Sequence, residues 1–585
     1  MQAQGSLSRR AFLGAMALGG AAAAMGAAGC SPKSEAPASP TPSQDKPDVN
    51  AAAEPTAAPA ATSNDWLGTE PATPDTFAEE MDVDVVVVGL GWAGVCATRA
   101  ACEEGASVVV FEKGENFGLT SKNAHAFGSK LWLEHYPESE KYWDRTAIIN
   151  AVMKGCLNRN SDAIMSKWLN TNGEAFDWFF GAALENPEVV FTSSAEGNKL
   201  PKDATGIKET SWPYPANYNP LEEYWPCFPG TACVAPNATP FFEANIAKAE
   251  QAAGDKLRIM RFTPAIKLLH DNGHVTGVIA QDADGNFYKA TARKGVVLAT
   301  GDFFSNLAMV NAFLSRRFDE DGIKNIYSVM DAQGNQCNVG DGHRMGAWAG
   351  AMMQLDGCNM THAIGGGTYT VGTLPALVLN KRGQRFMNED IQGQQFTERL
   401  YEQKDKTVFQ LYDASFFDHM DDMPYGHGKH PEVKFETVQK EAEEGKLLTS
   451  DTIEGLVDQM DIDKDAALAS IKRYNELCAK GDDEDYGKVS KRMIGLTTPP
   501  FFCDTYIGDG SMKGVGNLVT MSGLESDEEC HVYNENLDVI PGLYAAGNVQ
   551  GNRFSVVYPE VLQGHSIAMA MTFGYIAGKN AAAGK

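Results

Sequence analysis

The residues whose types and spacing point most directly to chemistry are Gly89, Gly91, Ala93 and Gly94, followed eighteen positions after the last glycine by the acid Glu112. Gly89 permits a tight turn, Gly91 lets the backbone approach a pyrophosphate, and Gly94 lets a helix press close to its strand. The helix that begins there faces the phosphates with unpaired N–H groups and its positive dipole end. Glu112 closes the run Val108-Val109-Val110-Phe111-Glu112. A carboxylate at that place accepts both hydroxyls of an adenosine ribose and repels a 2′-phosphate. The chemistry is that of a bound dinucleotide, FAD or NAD, with NADP disfavoured.

The elements that must position these groups follow from the same stretch. An apolar strand from Asp82, the glycine turn, a helix and a second strand make a βαβ unit, and Lys113 to Trp132 is a polar loop with Gly114, Gly118, Thr120, Ser121, Asn123 and Gly128 that suits the rest of a long dinucleotide. Helical patterns cover roughly 144–182 and Phe242 to Ala253, with an irregular Pro- and aromatic-rich stretch over about 186–240. Arg258 to Leu269 and His274 to Asp282 read as strands around an Asn272-Gly273 hairpin turn. Gly295 to Asp302 is an apolar strand that breaks on Gly301, as a buried parallel strand does at a ligand crevice. Gly542 to Asn548 repeats that pattern, and a helix closes the chain from Gly564 to Ala582.

Composition sets the context. Ser8-Arg9-Arg10-Ala11-Phe12-Leu13 resembles a twin-arginine export signal, and the stretch through Gly29 is too weakly apolar to span a membrane. Ala27-Ala28-Gly29-Cys30 resembles a lipobox with Cys30 as the lipidated residue. Residues 31–75 are rich in Ala, Pro, Ser and Thr and read as a tether. The expectation is an exported protein whose membrane contact is the N-terminal anchor alone. A formal charge of −27 argues against nucleic acid and against adsorption to anionic lipid. Eleven cysteines without a CxxC leave covalent haem, a dithiol and a compact iron–sulfur motif unsupported, and no metal site is expected. Pairings such as Cys96 with Cys102, or Cys227 with Cys233, stay open.

Together these pieces resemble the FAD-dependent superfamily of soluble fumarate reductases, urocanate reductases and 3-ketosteroid dehydrogenases. The matching segments are the Gly89 fingerprint with Glu112, Ala299-Thr300-Gly301, Gly340-Asp341-Gly342, Asn380 to Glu389, and Gly542 to Asn548. The resemblance implies FAD rather than NAD. It implies an α/β fold: a Rossmann-type FAD-binding domain assembled from both chain ends (76–355 and 501–585) with an inserted α+β capping domain (356–500), preceded by the signal (1–30) and linker (31–75). It also implies further FAD contacts at Lys113, Thr120, Ser121, Gly128, Ala265, Thr300, Gly301, Asp341, Gly547, Asn548, Ser566 and Ile567.

The chain departs from the fumarate reductases within that superfamily. Leu518 to Gly523 carries Val519 in place of a substrate-clamping histidine, and Tyr412 to Phe417 offers phenylalanine in place of a proton-donating arginine. Gln392 stands where the family has an arginine three residues after Glu389. Burying a dicarboxylate without cations costs several kcal/mol, so fumarate is not the expected substrate. Arg385 and Glu389 read as cap stabilisers. The run from Tyr558-Pro559 through Gly564 to Ala577 is similar instead to the ketosteroid dehydrogenases, allowing a two-residue insertion within 560–563. That likeness implies that the Tyr558 hydroxyl and the Gly564 N–H polarise a substrate ketone, an oxyanion-hole arrangement. His362 falls near a substrate histidine of the fumarate reductases, with a satisfied structural histidine as the plain alternative.

The expected chemistry is hydride transfer to an activated C=C bond of a small unsaturated substrate, an enone or other conjugated acceptor, with an acid serving the adjacent carbon. Electrons would come from a separate membrane or cytochrome donor. The alternatives are a 3-ketosteroid-type dehydrogenase working oxidatively and, in another class, a ligand-binding lipoprotein without catalysis.

Overall fold

Val85, Val86, Val87 and Val88 are all buried because their strand, Glu79–Val88, lies between two parallel neighbours inside an eight-stranded sheet. The structure is a computed structural model that describes residues 66–115, 117, 122–315, 336–362, 371–403, 406–425, 433–507 and 516–585. The expected export signal, Cys30 and most of the linker lie outside these residues, as do Thr120 and Ser121.

The path of the sheet runs His531–Tyr533, Val539–Ala545, Phe287–Leu298, Glu79–Val88, Val108–Phe111, Leu257–Met260. Val88 pairs with Phe111 on one side and Leu298 on the other, and Leu298 pairs with Ala545. Four strand C-termini therefore end in one row, the place where open parallel sheets bind ligands. Val85 and Val87 face one core with the helix Trp92–Glu103; Val86 and Val88 face a second core with Phe303, Met309 and Met345. An all-apolar strand is what a position covered on both faces demands.

The first and last helices of the described residues meet here. Helix His565–Ala583 crosses helix Trp92–Glu103 so closely that a Cβ on Gly574 would sit 2.3 Å from the Ala93 carbonyl oxygen, and one on Gly578 2.3 Å from that of Ala97. Among the described residues no helix is long and apolar enough to cross a membrane.

Three sequence expectations are modified. The strand expected over Arg258 to Leu269 is two: Leu257–Met260 pairs in parallel with Val108–Phe111, while Ala265–Asp271 pairs antiparallel with His274–Gln281. Phe262 has φ 52° between them and Pro264 has no N–H for a ladder. The helical region over 144–182 breaks into Arg145–Gly155 and Asp162–Leu184, capped by the side chains of Asp144 and Ser161, with Leu157 and Asn158 at positive φ in the break. The stretch over 186–240 contains strands Val190–Phe191, Gly206–Glu209 and Thr231–Ala235, which join Asn123–His125 in a sheet of their own.

A further antiparallel sheet is ordered Leu377–Asn380, Thr407–Asp413, Phe501–Ile507, Leu448–Ser450. Its apolar face packs on helix Lys464–Lys480 through Leu377, Leu379, Phe409, Ile471 and Tyr474. This unit, called the cap below, draws its third strand from residues past the expected boundary at 500.

Candidate active site

At the row of strand ends, Gly89 has φ 95°, and a Cβ there would lie 2.5 Å from the Ala299 carbonyl oxygen. Only glycine fits that turn. A Cβ on Gly94 would lie 2.0 Å from the Gly89 oxygen, so the third glycine lets the helix start directly under the turn. Gly91 is the N-cap of that helix, with no side chain over the exposed N–H groups, and Ala93 is buried in its first turn. Glu112 is 7 % exposed; its two oxygens accept the N–H groups of Leu90 at 2.6 Å and Gly114 at 2.7 Å. Each oxygen keeps a second lone pair. Burial pushes the carboxyl up, against the pull of those N–H groups.

Gly89, Gly91, Glu112, Lys113, Ala265, Thr300, Gly301 and Asp341 line one cleft with about 720 Å³ of empty space. Thr300 Oγ1 is buried with no hydrogen-bond partner among the described residues, and a Cβ on Gly342 would lie 2.1 Å from it. Lys113 reaches Asp341 at 2.8 Å, and Asp341 also pairs with Arg344 at 2.9 Å, so this expected cofactor pair is tied to itself across the cleft. Asp302, which sequence reasoning passed over, lies on the same cleft; it accepts from Phe304 N–H at 2.8 Å and Asn338 at 2.5 Å, and burial pushes its carboxyl up to about 6.

A second group gathers at the start of helix His565–Ala583. Tyr558 is 1 % exposed and its hydroxyl accepts the Ser566 N–H at 3.3 Å; no described residue accepts its own proton. Burial pushes the phenol up, so it is protonated at neutral pH. Gly564, the N-cap with φ 72°, would place a Cβ 2.8 Å from the Asn123 carbonyl, and its own carbonyl accepts the His125 N–H at 3.3 Å. The amide that the fold brings to the Tyr558 hydroxyl is thus that of Ser566, and the requirement for glycine at 564 is close backbone approach. Asn548 Oδ1 accepts from Ser566 Oγ at 3.4 Å and from Arg553 at 2.8 Å. Gly547, at φ 78°, would put a Cβ 3.1 Å from that of Ala93, which links this group to the fingerprint helix. Ile567 is buried in the same first turn, and Gly128, at φ 80°, meets Gly173.

Arg553 is the residue that sequence reasoning missed. It is 2 % exposed, has no carboxylate partner among the described residues, and leaves Nη1 without a hydrogen bond. Burial pulls its guanidinium down only to about 10, so the cation persists at neutral pH. Beside it His565 is buried 4.4 Å from the Trp168 ring with neither nitrogen bonded to a described residue, and burial pulls its imidazole well below the usual range. His125 is neutral too, pulled down to about 4, with Nε2 on the Phe228 carbonyl at 3.2 Å. The available signal for Arg553 was a lone arginine in an apolar run whose one acid is Glu560.

Other expected residues fall elsewhere. His362 ends strand Cys358–His362, paired with Gly516; its side chain lies outside the described residues. Val519 is buried, and Phe417 packs in the cap core against Tyr412 and Phe435. Arg385 is held by Glu389 at 2.8 Å and Asp483 at 2.7 Å, an ion network inside the cap. The ten described cysteines, including Cys96, Cys102, Cys227 and Cys233, are free thiols.

The family model described as FAD binding domain matches residues 84–561. The chain belongs to this family. The digoxin reductase of Eggerthella lenta is similar at 27 % identity over 633 residues, covering 99 % of this chain and 97 % of that protein. The vinyl phenol reductase of Lactiplantibacillus plantarum is 25 % identical over 546 residues, covering 87 % and 98 %. In fold, the chain is similar to a crystal structure of 3-ketosteroid-Δ4-(5α)-dehydrogenase from Rhodococcus jostii RHA1, with TM-score 0.62, 20 % identity, and coverage of 88 % of this chain and 99 % of that one. The cofactor is FAD, and this family member is an FAD-dependent oxidoreductase of the kind that acts on CH–CH groups. The residues present fit it: the Gly89 turn that any Cβ would fill and the open lone pairs of Glu112 lie on one cleft, which Thr300 also lines.

Proposed function

We propose that this flavoprotein reduces an activated C=C bond conjugated to a single oxygen-bearing group, as in an enone, and that a separate membrane or cytochrome donor supplies the electrons. The observation that carries the reading is the Tyr558 hydroxyl: protonated, fixed by the Ser566 N–H, and free to donate. An oxygen that gains negative charge during reduction is stabilised by a donor already aimed at it. Arg553 adds a buried positive charge with no carboxylate partner among the described residues. One guanidinium among neutral histidines suits one developing oxyanion. Two carboxylates would need a second cation, and Val519 supplies none.

Bound FAD would supply the hydride to one carbon of the double bond, and a proton delivered to the adjacent carbon would complete the reduction. The work of the chain is then to hold FAD through Glu112 and the Gly89 turn, to orient the acceptor oxygen on Tyr558, and to keep water from the buried face formed by Phe127, Trp168 and Phe554. The names of the digoxin and vinyl phenol reductases support reduction of an unsaturated organic acceptor. We extend the proposal to export by the twin-arginine route and anchoring through a lipid on Cys30, from the motifs at Arg9-Arg10 and Cys30.

The test is reoxidation of a reduced viologen dye by the purified yellow protein with enones, 3-ketosteroids, aryl-acrylates, vinyl phenols and fumarate. Turnover of carbonyl-conjugated acceptors ahead of fumarate is expected. Rapid fumarate turnover, or none with any conjugated acceptor, sinks the reading.

A further inference from the structure

Tyr558, Pro559 and Glu560 form one short turn whose two ends touch different parts of the molecule. Tyr558 points to the start of helix His565–Ala583. Pro559 is wedged against helix Arg145–Gly155, where a Cβ on Gly155 would lie 2.4 Å from the proline Cβ. Glu560 reaches across to the cap helix Gly393–Tyr401, where its Oε2 accepts the Gln394 N–H at 3.1 Å and the carboxylate also bonds the Gly393 N–H. In return the Glu560 N–H donates to Gln392 Oε1 at 3.1 Å, and Gln392 Nε2 donates to the Pro226 carbonyl at 3.1 Å.

Several details make this a built junction. Gln392 is the N-cap of the cap helix yet makes no side-chain cap of its own, so the carboxylate that satisfies the first turn comes from the flavin domain. Gly393 is a second: a Cβ there would lie 2.6 Å from Glu560 Oε2, so a larger residue would push the carboxylate away. Glu560 is buried, and a carboxylate taken out of water needs such donors.

We propose that Glu560 is a positioning residue that latches the cap to the turn carrying Tyr558, so that an ordered cap helix holds the Tyr558 hydroxyl on the Ser566 amide. Its importance for turnover rests on the reading of Tyr558 given above; the latch itself does not. Burial also pushes the Glu560 carboxyl up to about 7, which fits a contact that changes near neutral pH. The titratable groups facing it, Cys227 from the adjoining segment and Tyr558 from its own turn, are both kept protonated by burial, and Gln392 and Gln394 of the cap helix are neutral. As pH falls through about 7 the carboxylate takes up a proton, keeps one carbonyl acceptor but loses its charge and its second acceptor oxygen, and the latch weakens.

Amide hydrogen exchange on the full flavoprotein tests this without a substrate. In Glu560→Ala, exchange at Gln394 and at Ser566 is expected to rise by about tenfold or more, while strand Val85–Val88 keeps its protection. Glu560→Gln, which like the protonated acid is neutral and keeps one carbonyl acceptor, should hold the protection at the level the wild type shows at low pH and remove its dependence on pH. Unchanged exchange at Gln394 in the alanine variant would overturn the latch; a rise at Gln394 with none at Ser566 would overturn the coupling to Tyr558. A fully active Tyr558→Phe enzyme would count against the catalytic reading of Tyr558 and leave the latch standing.

Discussion

The N–H of Ser566 donates to the hydroxyl of Tyr558 across 3.3 Å, although the two residues are eight positions apart and separated by a glycine at positive φ. The hydroxyl satisfies one of the open N–H groups of the helix start, a capping role. It also keeps its own proton for an outside acceptor, and the positive end of the helix lies behind it. Structural and catalytic readings of Tyr558 therefore share one atom, and removing that atom separates them.

Tyr558→Phe keeps the ring packing against Phe554 and removes the hydroxyl. FAD content is expected to persist, while turnover of the organic acceptor falls by roughly 10² to 10³-fold, the usual cost of losing one oxyanion donor. Stopped-flow measurement of the two half-reactions checks this: flavin reduction by dithionite should be untouched, with the loss confined to reoxidation by the acceptor.

Glu112→Ala should weaken FAD retention, since hydrogen bonds to a charged group are worth roughly 1.5–3 kcal/mol. That corresponds to a Kd raised by about ten- to a hundredfold. It also strips an acceptor from the Leu90 and Gly114 N–H groups, which loosens the turn. The flavin-to-protein absorbance ratio after dialysis reads the outcome, and full occupancy would show that this carboxylate does not hold the ribose.

Gly574→Ala sets two effects against each other. Alanine gains about 1 kcal/mol of helix propensity over glycine. Its Cβ would lie 2.3 Å from the Ala93 carbonyl oxygen, and a backbone atom in a packed helix cannot step aside. Overpacking of this kind costs about 1–3 kcal/mol, and more where backbone must shift. A net lowering of the thermal midpoint is expected by calorimetry, along with weaker FAD binding because Ala93 belongs to the fingerprint helix.

Glu209 gives a pH prediction. It is buried, accepts the Tyr425 hydroxyl at 2.7 Å and the Thr231 N–H at 2.9 Å, and burial pushes its carboxyl from 4.5 up to about 8. The folded state therefore keeps a proton that the unfolded chain has lost, and stability falls as pH rises from about 4.5 through about 8. Glu209→Gln replaces the protonated acid by a neutral amide, so its urea midpoint should fall less steeply than that of the wild type over that window. Equal slopes in both proteins would show that Glu209 ionises normally.

On the proposed export by the twin-arginine route, Arg9→Lys with Arg10→Lys should hold the folded flavoprotein in the cytoplasm. Cell fractionation with flavin fluorescence measures it, and continued export would point to another route.

Much of the flavin half was legible because its signals are local. Gly89, Gly91, Gly94 and Glu112 lie within one βαβ unit, where the glycines act through backbone geometry and Glu112 through a carboxylate at the strand end, at spacings the sequence itself shows. The apolar runs ending at Gly301 and Gly547 announced strand ends at a crevice, and strand pairing places Leu298 and Ala545 side by side. The break at Phe262 to Pro264 was less legible, since both halves read as strand and only their partners differ.

The acceptor half depended on distance in sequence. That Glu560 caps a helix 166 positions away and Tyr425 bonds Glu209 are pairings between remote segments that no spacing encodes. Arg553 shows the limit most clearly: its type and number are visible in the chain, but a guanidinium becomes a candidate for chemistry only when the fold buries it, here with no carboxylate partner among the described residues. By itself the sequence determined the cofactor fold, because turns and strand ends are set by neighbouring residues. Tertiary structure decided which side chains lose water and which donors remain unspent, because desolvation and pairing are properties of the packed whole.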